Sequence, residues 1–437
     1  MGKALPYAAP FIPILSCGAA GIALYCIKAL SVDRRGGGEQ MRIGVLGGTF
    51  NPIHSAHLQM AEAARDAFAL DRVLLMVAAD PPHKRVAGAV AGEHRLRMAA
   101  LAAEPLSRVE ASDLELGREG PSFTVDTLTE LGARYPGAEL FWIVGSDMLL
   151  DLPTWRRVET LLQLATIIAV PRPGESAADA DAAAHLRRAF GARVLPLDVP
   201  VDAVSSTLVR QRVAEALPVT GLVPEAAEQY LYEEGLYLPA AVDAVRRRLR
   251  GALLPKRYRH VMGVVRQAAS LCALYGAPRA LYPQARLAAL LHDCAKQLPP
   301  DRLAVLAGDD TPGADNVLHA AAGAVLAHTA YGVTDDAVLR AIRLHCTGDA
   351  GMTLLDMIVY LADLTEPGRA FDGVERYRAH LGDGPAAAMR LAIAGTLRLL
   401  TSLGVPVHPA TLRAEGYFAQ LQHTKANTGD TRKEEHG

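Results

Sequence analysis

The chain has 437 residues, more than one ordinary domain holds, so two or three cores are expected. Half of the residues are hydrophobic and 21% are charged, a globular composition, and the net charge of −2 excludes an electrostatic footprint for nucleic acid but not small anionic substrates. The five cysteines (Cys17, Cys26, Cys272, Cys294, Cys346) are odd in number and never form a CxxC pair, which argues against a disulfide framework or zinc ribbon and for a cytoplasmic, reducing compartment.

Residues 4–27 are 24 positions without a charge, flanked by Lys3 and by Lys28, Arg34 and Arg35. That length could span a bilayer, yet Pro6, Pro10 and Pro13 weaken a helix there and no small-residue cleavage site stands out. Met41 then opens Met-Arg-Ile-Gly-Val-Leu-Gly-Gly, a natural start for a nucleotide-binding strand. Residues 1–40 are therefore expected to lie outside the fold, with a membrane anchor or a packed segment as alternatives. Gly36-Gly37-Gly38 is the expected flexible joint.

From residue 42 to about 238, short apolar runs alternate with helical periods. Strands are predicted over residues 42–46, 72–77, 140–144, 166–170 and 193–197, and helices over 57–68, 94–103, 124–135 and 177–190. Such alternation implies an α/β domain, residues 41–238, with a doubly wound parallel sheet covered on both faces and ligands at the carboxyl ends of its strands. After Pro239 the strand signals stop. Helical periods over 240–254, 260–275, 285–297, 316–330, 335–345, 352–364 and 385–400 predict an all-α domain, residues 239–422. Residues 423–437 are polar without apolar period and are expected to form a disordered tail.

The first chemical signal is Gly47-Gly48-Thr49-Phe50-Asn51-Pro52-Ile53-His54-Ser55-Ala56-His57. It reads as a glycine turn after a strand, leading into a helix whose N–H groups and dipole aim at an anion. His54 and His57, three apart, share one face of the first turn. The string resembles the signature of the HIGH-superfamily nucleotidyltransferases. Pro81-Pro82-His83-Lys84, Pro121-Ser122-Phe123-Thr124-Val125-Asp126, Ile143-Val144-Gly145-Ser146-Asp147, Leu152-Pro153-Thr154-Trp155 and Ser205-Ser206-Thr207-Leu208-Val209-Arg210 narrow the resemblance to nicotinate-nucleotide adenylyltransferases. It implies that ATP meets Gly47, Gly48, Thr49, Phe50, His54 and His57, with Gly145 and Asp147 at its adenosine. Ser205, Ser206, Thr207 and Arg210 would take its phosphates, and Lys84, Thr124 and Trp155 the mononucleotide. His54, His57 and Arg210 would be catalytic, with Mg²⁺ assisting. Ser146 stands where the family often has alanine. The attacking phosphate oxygen is already anionic, so the task is to align two polyanions and neutralise charge rather than to supply a base.

The second signal is His260, His292-Asp293, His319, His345 and Asp363 on an apolar helical background. A carboxylate within Leu287-Ala288-Ala289-Leu290-Leu291-His292-Asp293 or Ile358-Val359-Tyr360-Leu361-Ala362-Asp363 is costly unless paired or coordinated. Imidazole and carboxylate without thiolate favour iron (Fe²⁺ or Fe³⁺) or Mn²⁺ over structural zinc, and Cys294 and Cys346 are expected to pack. The pattern resembles the HD-domain metallophosphohydrolases, within them the bacterial symmetrical bis(5′-nucleosyl)-tetraphosphatases, which split diadenosine tetraphosphate into two ADP. The resemblance implies His260, His292, Asp293 and Asp363 as metal ligands, His292 and Asp293 as catalytic, and Arg257, Lys296, His319, His345 and Arg369 on substrate phosphates.

A bifunctional enzyme is therefore expected, its substrates being ATP, nicotinate mononucleotide and diadenosine tetraphosphate. It would be cytoplasmic, or tethered to a membrane if residues 4–27 anchor it, and a homo-oligomer is possible. Two alternatives stay open: a helical domain that senses nucleotide or metal without catalysis, and transfer to another acceptor such as pantetheine phosphate or a flavin.

Overall fold

The computed structural model describes residues 40–79, 90–118, 120–171, 176–197, 199, 201–308 and 316–429. Its six strands are β1 Arg42–Gly48, β2 Arg72–Val77, β3 Val109–Ser112, β4 Glu139–Gly145, β5 Ala165–Val170 and β6 Val194–Pro196. They pair in parallel in the order β3-β2-β1-β4-β5-β6. Helices α1 Ser55–Ala67, α2 Gly92–Ala103, α3 Thr124–Arg134, α4 Met148–Asp151, α5 Val158–Leu164, α6 Ser176–Phe190, α7 Ser206–Ala214 and α8 Glu225–Glu234 flank the sheet or follow it. Period-two alternation divides the strands between two cores. Val73, Leu75, Phe141 and Ile143 face one, whereas Ile43, Val45, Leu74 and Trp142 face the other. The strand order reverses between β1 and β4, so the loops after those strands diverge and leave a crevice at their carboxyl ends.

The helical half comprises α9 Ala240–Ala252, α10 Pro255–Leu274, α11 Leu281–Leu291, α12 Pro300–Ala307, α13 Leu318–Tyr331, α14 Asp336–Leu344, α15 Leu354–Thr365, α16 Val374–Ala379, α17 Pro385–Ser402 and α18 Pro409–Gly429. Residues 41–437 form one compact unit. A single apolar cluster runs from Leu46 and Phe50 through Val209, Val213 and Tyr232 to Val261, Leu291 and Ile358, so the two halves share one core. Ion pairs cross the same border, Arg266 to Glu225 at 3.0 Å and to the buried Glu228 at 3.7 Å.

Several expectations needed correcting. β3 escaped the sequence reading because Val-Glu-Ala-Ser is short and half polar, and it joins the sheet as an edge. Gly47 and Gly48 belong to β1, opposite Met76 and Val77, rather than to a turn. α11 stops at Leu291, so His292 to Gln297 form turns and the expected helix over 285–297 is cut short. α18 continues to Gly429, past the predicted start of the tail. Among the described residues no helix is long and apolar enough to cross a membrane, and residues 4–27 lie outside them.

Candidate functional site

At the carboxyl end of β1 the chain turns through Asn51 and Pro52 into α1, with His54 as the extended N-cap residue. The backbone amide of His54 donates to Nδ1 of His57 at 3.3 Å, and the two rings stack with centroids 3.6 Å apart. Phe50 meets His57 edge-on at 4.9 Å. The histidine pair is thus held at a helix start, where the positive end of the dipole favours an anion. The glycines before it have a different reason from the one expected. A Cβ at Gly47 would lie 2.6 Å from the Trp142 ring, and one at Gly48 would lie 3.0 Å from Phe50, so side-chain packing already demands glycine at Gly47.

A second helix start reaches the same turn. Ser205 caps α7 by accepting the Leu208 amide at 3.2 Å. Ser206 Oγ donates to Pro52 O at 2.8 Å, Arg210 Nη1 to Asn51 O at 2.7 Å, and Arg210 Nη2 to Thr207 Oγ1 at 3.2 Å. Ser205, Ser206, Thr207 and Arg210 therefore gather beside His54 and His57. Across the switch point, Gly145 ends β4 and Asp147 begins α4. Thr124 opens α3, and Trp155 follows a short turn; Phe123 and Trp155 pack on the same core, and Arg156 lies 4.5 Å above the Phe123 ring. Lys84 lies outside the described residues.

Three supports of this site were not anticipated. Arg95, 5% exposed, donates to Thr49 O and Ala78 O, both at 2.7 Å, and ties the β1 and β2 loops together. Asn51, also buried, accepts at Oδ1 from Tyr237 OH at 2.7 Å and from the Val90 amide at 3.4 Å. Arg95 shares the buried face of α2 with Met98, Ala99 and Ala102, and a cation on an apolar face is the signal that would have exposed it.

In the helical half, His260 from α10, His292 and Asp293 from the turn after α11, and Asp363 from α15 converge. His260 Nε2 stands 3.0 Å from Asp363 Oδ1 and 3.8 Å from Asp293 Oδ2; His292 Nε2 stands 3.4 Å from Asp293 Oδ2 and 3.8 Å from Asp363 Oδ1. His292 Nδ1 lies 2.7 Å from Ala289 O, which can only accept, so Nε2 carries a lone pair. His260 Nδ1 likewise faces Glu366 Oε1 at 3.1 Å. Both Nε2 atoms are buried without a hydrogen-bond partner. Lone pairs and carboxylates turned toward one point repel unless a cation lies between them, so this donor set fits a metal ion. Glu366, which the sequence reading missed, is the outer partner of His260.

His319 and His345 were expected on substrate phosphates. In the structure both are buried, with Nε2 atoms 3.5 and 3.8 Å from Asp293 Oδ1. Burial and the neighbouring cationic groups lower their pKa values to about 3 for His319 and about 4 for His345, so both are neutral at pH 7. Cys346 does more than pack, because its Sγ lies 3.0 Å from His345 Nε2 and 3.1 Å from His319 Nε2. Lys296 Nζ lies 3.1 Å from His319 Nε2. Arg257 donates to Asp293 Oδ2 at 2.8 Å, and Arg369 donates to Asp363 Oδ1.

Beside this cluster opens a cleft of about 830 Å³, lined by His260, Glu366 and five cationic side chains: Lys256, Arg257, Arg259, Arg266 and Arg369. Its opposite wall is α8, through Glu225, Gln229 and Glu233, so the α/β half forms part of it. A cationic cleft at the edge of a metal-type donor set suits a phosphate chain.

Comparison with known proteins divides the chain at the same place. Residues 45–212 match the cytidylyltransferase-like family, and residues 257–368 match the HD domain. A probable nicotinate-nucleotide adenylyltransferase of Citrifermentans bemidjiense is 42% identical over 215 residues, covering 46% of this chain and 100% of that protein. One from Synechococcus is 44% identical over 204 residues, covering 46% of this chain and 96% of that protein. A Clostridium acetobutylicum structure, described as an HD superfamily hydrolase involved in NAD metabolism, is 31% identical, covering 41% of this chain and 97% of that chain, with a TM-score of 0.39. Through its α/β half the chain belongs to the nicotinate-nucleotide adenylyltransferase family, and its helical half carries an HD domain.

Proposed function

We propose that the α/β half transfers the adenylyl group of ATP to nicotinate mononucleotide, giving deamido-NAD and pyrophosphate. The meeting of two helix starts on the Asn51–Pro52 turn carries this reading. His54, His57, Ser205, Thr207 and Arg210 would hold the ATP phosphates, and the phosphate of the acceptor attacks without a general base because it is already anionic. Thr124, Trp155 and Lys84 would orient the acceptor, and Mg²⁺ would assist with charge. The test is pyrophosphate release with ATP and a panel of acceptors. Release with pantetheine phosphate or a flavin mononucleotide, but not with nicotinate mononucleotide, overturns the choice of acceptor.

We further propose that the HD half is a metal-dependent phosphohydrolase that cuts diadenosine tetraphosphate into two ADP. The convergence of His260, His292, Asp293 and Asp363, with both Nε2 atoms unsatisfied, carries this reading. Those four residues would hold Fe²⁺, Fe³⁺ or Mn²⁺, which when bound supplies Lewis-acid chemistry for water activation and phosphoryl charge. Arg257 and Arg369 orient the carboxylates and face the cleft, where they, Lys256 and Arg259 would grip the phosphate chain. Wild type and His292→Ala are compared for ADP release with Fe²⁺ or Mn²⁺ present. Equal, negligible release from both favours the non-catalytic sensing module instead.

A further inference from the structure

We propose that Arg286, a residue of the helical half, is a positioning residue for the ATP-phosphate site of the α/β half, an inference that rests on the adenylyltransferase reading above. Arg286 lies in α11 and is 8% exposed. Among the described residues no carboxylate lies within 4 Å of it, and burial lowers its pKa. A buried cation without a counter-ion is costly, so its partners must supply negative potential. They are the last carbonyls of α7: Arg286 Nη1 donates to Val213 O at 2.9 Å and to Ala214 O at 3.2 Å. The C-terminus of a helix carries the negative end of its dipole, which suits a buried guanidinium.

α7 is short, from Ser206 to Ala214, so a shift at one end is carried to the other. Its N-terminus presents Ser205, Ser206, Thr207 and Arg210 and is held by Pro52 O and Asn51 O. Its C-terminus is held from the other half of the chain by Arg286. Val209 and Val213 are fully buried between these ends, in the apolar cluster shared by both halves. The cytidylyltransferase-like match ends at residue 212 and α11 begins at Leu281, so Arg286 is a support from outside that match.

The experiment compares wild-type full chain with Arg286→Met, which keeps the apolar stem, and Arg286→Lys, which keeps a donor. It measures KM for ATP, KM for nicotinate mononucleotide, and cleavage of diadenosine tetraphosphate as a control for folding. Equilibrium binding of a non-hydrolysable ATP analogue is measured alongside. Arg286→Met is expected to raise KM for ATP about fivefold or more, with KM for the acceptor and HD activity within about twofold of wild type and Arg286→Lys in between. An unchanged KM for ATP in Arg286→Met, or an equal rise in both KM values, overturns the proposal. If wild type transfers no adenylyl group, the functional reading fails, and the analogue binding still decides whether Arg286 positions the phosphate site.

Discussion

Replacing Glu366 by glutamine tests the metal centre without touching any of its four expected ligands. Glu366 is buried; Oε1 faces His260 Nδ1 at 3.1 Å, and Oε2 accepts the Gly368 amide at 2.6 Å. Arg378 fixes the backbone around it, donating to Thr365 O at 3.1 Å, Glu366 O at 2.6 Å and Arg369 O at 2.9 Å. A carboxylate only accepts, so Nδ1 keeps its proton and Nε2 keeps its lone pair for an ion. Glutamine has the same shape, but one end of it donates. The Gly368 amide requires the acceptor end, which turns the NH₂ group toward His260 and moves the imidazole proton to Nε2, where it blocks coordination. Loss of such an outer partner costs about 10–100-fold in metal affinity, or about 1.4–2.7 kcal/mol. The measurement is metal content after dialysis against a series of buffered free Fe²⁺ or Mn²⁺ concentrations. Glu366→Gln with wild-type affinity would refute both the tautomer argument and the assignment of His260 as a ligand.

Two further predictions concern the first site. Gly47→Ala places a methyl group 2.6 Å from Trp142, which is itself buried in the second core, and overpacking of that kind costs about 1–3 kcal/mol. The loss should appear in the urea midpoint at an unchanged m-value, and a variant as stable as wild type would show that the ring moves freely. Tyr237→Phe removes the 2.7 Å hydrogen bond to buried Asn51 Oδ1, leaving that oxygen with the longer contact to the Val90 amide. It should cost about 1–3 kcal/mol in chemical denaturation and raise KM for ATP, because Asn51 O also receives Arg210.

The periodic elements could be read from local pattern. β1, β2, β4 and β5 are apolar on both faces because helices cover both sides of the sheet, and the continuous apolar runs gave them away. β3 lacked that mark because an edge strand is covered on fewer sides. Asp293 and Asp363 stood out as single acids in apolar surroundings. Glu366 did not, because it follows the end of α15, where an acid next to Pro367 reads as ordinary loop chemistry. Lys84 and residues 1–39 lie outside the described residues.

Residue order alone pointed to the two chemistries proposed for the chain. A glycine-led helix start with two histidines, and histidines with acids on helical segments, are choices of side-chain type and spacing that need no coordinates. Packing settled which atoms meet. His260 and Asp363 are far apart in the chain yet 3.0 Å apart in space, because α10 packs against α15. The union of the halves into one core, the cleft wall made by α8 and the reach of Arg286 to α7 all arise at contacts between distant segments. Such contacts depend on how whole helices seat against one another, and no local periodicity encodes that.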